Sequence, residues 1–112
     1  MSYDTVEKTD AESVMPSKWG GMWFLKDEIN TEHLGFTILE LKPGGKGKEH
    51  DETSTQQEEI YYVVTGTVDV LLTDETVTLS KDEAIRLDPQ ECRQIHNRGD
   101  ELVKLVLVGA PL

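Results

Sequence analysis

Three side chains in the middle of this 112-residue chain carry the chemistry of metal ligands: His50, Glu52 and Glu59, all within the stretch from Gly44 to Gly66. Imidazole supplies a neutral nitrogen donor and the carboxylates supply anionic oxygens, the donor types that hold divalent ions. Such residues seldom stand inside strand-forming sequence without a role, and Glu59 heads the β-rich run Glu59-Ile60-Tyr61-Tyr62-Val63-Val64. Period-two alternation puts Tyr61 on the face of Glu59, where its hydroxyl either orients a ligand or the ring fills the core. The stretch reads as one wall of a small β-barrel pocket.

The elements that must position these groups are short strands. Met22 to Leu25 is a dense apolar cluster with strand-favouring aromatics, read as core or as a dimer seam. The run from His33 to Leu41 alternates with a slip at Ile38-Leu39, which predicts a bulge or a strand buried on both faces near its end. Lys42-Pro43-Gly44-Gly45 turns the chain, and the polar loop Asp51 to Gln57 is placed at a pocket rim. Further strands are expected at 59–64, 68–72, 76–79, 84–87, 93–96 and 102–108. Tight turns between strands at this spacing describe an all-β sandwich or barrel. Residues 1–18 show no apolar period and contain Pro16, so they are expected to form a flexible N-terminal arm or an edge segment, leaving 19–112 as the single domain.

Composition narrows the function classes. With 22 Asp and Glu against 11 Lys and Arg, the net charge of -11 repels a polyanion, so nucleic-acid binding is not expected. No long apolar run and no leader-like segment is present, which leads us to expect a cytoplasmic protein without a membrane partner. Cys92 is the lone cysteine, read as a small buried apolar residue; it excludes an internal disulfide and a cysteine-rich zinc module. No serine elbow or cysteine–histidine pairing points to a nucleophilic hydrolase.

From Phe36 to Val108 the chain resembles the cupin superfamily, whose jelly roll is a double-sheet barrel. The first motif of that family runs glycine, five residues, His-x-His, a gap, glutamate, six residues, glycine. Here Gly44 and His50 keep the first spacing and Glu59 and Gly66 the second, while Glu52 stands where the second histidine is common and the gap to Glu59 is longer. At the positions of the second motif the chain has Asp82, Asp88, Gln90, Arg93 and Asn97, of which only Asn97 matches by identity. The resemblance implies an all-β, cupin-type jelly-roll barrel. It also implies an ion site transferred onto His50, Glu52, Glu59 and Arg93.

Arginine is a permanent cation with donors only, so it cannot be a ligand. One imidazole and two carboxylates remain, an oxygen-rich set suited to Mn²⁺, Mg²⁺ or Ca²⁺, with Fe, Ni and Zn not separable from sequence. The cofactor is therefore one divalent ion or none. In the second case Arg93 neutralises Glu59 or Glu52 inside the barrel, or turns its fork to an anionic ligand. His96 falls on the face opposite Arg93 by strict alternation, and a bulge near Cys92 would turn it inward as a second imidazole. Arg93, Tyr61 and His96 are thus candidate ligand-binding residues. Two functions follow: a barrel that binds a small acidic or sugar-like metabolite over a degenerate metal site, or a metal-dependent isomerase or dioxygenase using His50, Glu52 and Glu59. Either is expected as a homodimer.

Overall fold

The computed structural model describes residues 2–112; Met1, the first residue of the expected arm, lies outside them. Eight strands form in order: β1 (Gly20–Phe24), β2 (Gly35–Leu41), β3 (Glu58–Thr65), β4 (Thr67–Leu71), β5 (Thr76–Ser80), β6 (Ala84–Leu87), β7 (Gln94–His96) and β8 (Val103–Ala110). The only helix among the described residues is a 3-10 turn at Lys8–Asp10. One sheet has the order β1-β2-β8-β3-β6 and the other β5-β4-β7, with every pairing antiparallel. The second sheet is widened by the segment before Asp51, which bridges β7 at Lys46↔His96 and the residue before it at His50↔Arg93. The result is the all-β jelly-roll architecture that the alternating strands predict.

Two turn positions show how local conformation sets the connections. Gly66, between β3 and β4, has φ 87, and a Cβ there would press on the Leu102 carbonyl. Asp82, where the family motif has glycine, takes the same left-handed region with φ 69 and accepts a 2.7 Å hydrogen bond from the Tyr62 hydroxyl. Aspartate tolerates that conformation better than most side chains, so the turn survives the substitution.

The core is the set of inward residues from both sheets, including Leu39, Leu41, Tyr61, Val63, Val68, Val70, Leu87, Ile95, Val103 and Leu105. Burying this apolar surface is the main stabilising term of the fold. β2 pairs with β1 and β8 in unbroken register, so the slip at Ile38-Leu39 is not a bulge. Leu39 and Leu41 face the core while Phe36 and Ile38 lie on the outer face of the sheet. The irregularity occurs instead in β3, between Val63 and Thr65. Residues 8–15 run along β1: the Met22 amide donates to Ser13 Oγ at 3.0 Å, the Val14 amide to the Met22 carbonyl at 2.9 Å, and Lys8 pairs with Glu40 at 2.9 Å. Among the described residues, no helix is long and apolar enough to cross a membrane.

Candidate metal and ligand site

The register of the five-stranded sheet arranges its inward side chains in rows. Glu59 of β3 stands opposite Gly109 of β8, which stands opposite Gly35 of β2. The next row is Tyr61, Leu107, Thr37 and Phe24, and the one after it Val63, Leu105, Leu39 and Met22. The glycines beside Glu59 clear space at that end of the barrel. A Cβ on Gly109 would collide with the side-chain carbonyl of Gln57, and one on Gly35 with the Leu112 side chain. A cavity of about 940 Å³ opens there, lined by His50, Glu52, Glu59 and Tyr61 and, in the further rows, by Leu107, Phe24, Leu39 and Met22.

His50, Glu52 and Glu59 converge: their ligand atoms all lie within 4.8 Å of one another. His50 is carried by its paired backbone hydrogen bonds to Arg93, 3.0 and 2.8 Å. Its Nδ1 lies 3.0 Å from the Lys48 carbonyl, which can only accept, so Nδ1 carries the proton and Nε2 is turned to the cavity, 3.7 Å from Glu52 Oε1. Glu52 is fixed at its backbone by the 2.8 Å bond from its amide to the Pro89 carbonyl and at its carboxylate by Gln57 Nε2, also 2.8 Å. Glu59 accepts from the Tyr61 hydroxyl at 3.2 Å and faces Arg93 Nη2 at 3.4 Å.

The electrostatics follow from burial. Glu59 is held above the usual glutamate range by desolvation first and the Glu52 charge second, with Arg93 opposing. Burial and the neighbouring Glu59 push the Tyr61 hydroxyl up, so it stays a hydrogen-bond donor. Asp51, at the rim, is held low by backbone and side-chain hydrogen bonds from Thr53. The donor set fits a divalent cation: one nitrogen and two carboxylates with ligand atoms within 4.8 Å of one another, and His50 held through Nδ1 as an outer-shell carbonyl holds metal-binding histidines.

The remaining candidates separate. Tyr61 lines the cavity. Arg93 points inward but is completely buried, its Nη1 donating to the Glu91 carbonyl at 2.8 Å, and Glu59 stands between it and the cavity. Its expected role as a fork for an anionic ligand is corrected to that of a counter-ion behind Glu59. His96 is likewise corrected. Arg93 and Ile95 are both buried and β7 pairs in unbroken register, so alternation holds and His96 turns outward with Nδ1 accepting from Arg98 Nε at 3.3 Å. Gln57 is the residue that sequence reasoning missed; it sits in a polar loop, and only the glycine across from it on β8 gives it a buried seat. Asn97, the identical motif residue, is structural: its amide nitrogen donates to the Leu41 and Glu101 carbonyls and its oxygen accepts from the Gly99 amide.

The family model described as Cupin domain matches residues 37–109. Among solved structures, the chain is similar to a cupin protein from Bacteroides fragilis, at TM-score 0.80 and 19% identity over 99% of this chain and 86% of that one. It is also similar to a predicted oxalate decarboxylase from Thermotoga maritima, at 0.77 and 21% over 96% and 99%. A third likeness is to a sugar phosphate isomerase from Silicibacter pomeroyi, at 0.75 and 18% over 96% and 76%. At these identities the likeness carries the fold. No curated protein matches the chain in sequence.

Proposed function

Because this chain belongs to the cupin family, we propose that it is a small-molecule-binding barrel in which His50, Glu52 and Glu59 hold one divalent ion and a ligand binds beside them. The observation that carries this reading is the convergence of the three donors at the polar end of the cavity. The ion, when bound, supplies a Lewis-acidic centre for ligand oxygens. The chain's own residues do the positioning. Lys48 sets the His50 tautomer, Gln57 aims Glu52, and Tyr61 with Arg93 holds Glu59. Two carboxylates facing one buried guanidinium leave the cluster with one net negative charge, which a divalent ion converts to one net positive charge.

An oxygen-rich set favours hard ions such as Mn²⁺ over Zn²⁺. Elemental analysis of protein purified without chelator, followed by titration with Mn²⁺, tests the reading. One ion per chain, lost in His50→Ala and Glu52→Gln, is the expected result, and a protein that takes up no divalent ion rejects it. The second reading is an enzyme of the isomerase or dioxygenase type. It is favoured by the small number of protein donors, which leaves positions for substrate oxygens. The names of the Thermotoga and Silicibacter relatives make decarboxylation and sugar-phosphate isomerisation the reactions to assay first.

A further inference from the structure

The cavity is far larger than its polar end, and what lines the rest of it restricts the ligand. Starting at Glu59, the inward rows run Tyr61–Leu107–Thr37–Phe24 and then Leu39–Met22. Each row is two residues further along the strands, about 7 Å. A molecule anchored at the carboxylates therefore extends over apolar side chains for roughly the length of a phenyl ring or more. The hydroxyl of Tyr61 is engaged with Glu59, which leaves Thr37 as the one side-chain hydroxyl free in these rows. Ile95 of the facing sheet closes the other side. At the mouth, Phe24 is 53% exposed, aromatic surface that an apolar ligand would cover.

Arg93 is sealed behind Glu59, and the lysines that line the cavity stand at its edge: the Lys26 amine is bound to the Thr31 carbonyl at 2.9 Å, Lys46 lies beside the Trp19 ring, and Lys46 and Lys48 are both exposed. A phosphate carried along the apolar rows would lie against leucine and methionine, away from those exposed amines, at a cost such a lining does not offset.

We infer that the cavity takes a molecule with a bidentate oxygen head, such as a 2-hydroxy acid, on an apolar body the size of an aromatic ring. The body lies along the rows Tyr61–Leu107–Phe24 and Leu39–Met22. The head rests on the metal reading above, whose net positive charge suits a monoanion; the body rests on the lining alone.

Calorimetric titration of the manganese-loaded protein with 3-phenyllactate, lactate and ribose 5-phosphate tests the pair. Phenyllactate is expected to bind at least about tenfold more tightly than lactate, the increment of burying a phenyl ring. Phe24→Ala, on the exposed rim, should shrink that ratio without changing lactate affinity or manganese content. Equal affinities, tightest binding of ribose 5-phosphate, or no binding of phenyllactate overturns the inference. Failure of the metal reading is seen separately, as a protein that takes up no manganese. In that event methyl NMR of chelator-treated protein with 3-phenylpropanol, which has no chelating head, judges the apolar body. Shifts at the Leu39, Leu107 and Met22 methyls support it, and unshifted methyls overturn it.

Discussion

Nη2 of Arg93 lies 3.4 Å from Oε1 of Glu59, and the guanidinium is wholly buried behind that carboxylate. The arrangement puts a permanent cation where the family motif has a histidine, and its Nε has no hydrogen-bond partner. Removing the cation strands a desolvated carboxylate together with the Glu91 carbonyl that Nη1 satisfies. Arg93→Met is expected to cost about 3–5 kcal/mol in urea unfolding. A loss below about 1 kcal/mol, the size of an exposed pair, would show that the contact contributes little.

Replacing Arg93 with histidine addresses the metal directly. A second imidazole in place of the guanidinium makes the donor set richer in nitrogen and removes a competing positive charge. Arg93→His should therefore shift preference from Mn²⁺ toward Zn²⁺ or Ni²⁺. Competition titrations that return the wild-type order of affinities would contradict this.

The raised pKa of Glu59 fixes the sign of a stability effect in the metal-free protein. Between the ordinary glutamate value of 4.5 and the higher folded value, the native state holds more protons than the unfolded one, so stability falls as pH rises through that window. Its benefit is complete below 4.5 and gone above the folded value. Glu59→Gln, which cannot titrate, should abolish that fall, so that the melting temperature of the chelator-treated variant stays level through the window in which the wild type declines. A variant whose melting temperature still falls across that window would reverse the assignment.

Metal binding should show the opposite trend. Glu59, whose carboxyl is held above the usual glutamate range by burial and the Glu52 charge, must lose its proton to ligate, so affinity for Mn²⁺ should climb as pH rises above 4.5, with proton release on binding. A flat profile would mean that the ion binds elsewhere.

Gly109 and Gln57 form the support of Glu52. Gly109→Ala pushes the Gln57 amide out of its seat and Gln57→Ala removes it, and both free the Glu52 carboxylate. Each is expected to weaken Mn²⁺ affinity by about 10–100-fold, the range for outer-shell partners. Unchanged affinity in Gln57→Ala would reduce the amide to a packing role.

Much of this was legible in the linear chain. Strand alternation and turn residues marked all eight strands, and the resemblance of the Gly44–His50 and Glu59–Gly66 spacings to the cupin motif implied an imidazole and a carboxylate in one barrel. Those are short-range signals, set by the two-residue period of a strand and the conformations that turns demand. Alternation also put Arg93 on the face of Ile95 and left His96 opposite, provided β7 kept its register, as it does.

What the tertiary structure alone decided depends on residues far apart in sequence. Whether Arg93 meets ligand or carboxylate is settled by Glu59 on another strand, 34 positions earlier. Gln57 becomes a buried support because β8 carries glycine at the place across from it. The size and apolar length of the cavity come from four strands, β1, β2, β8 and β3, brought into register side by side, a sum of pairings that no local pattern encodes.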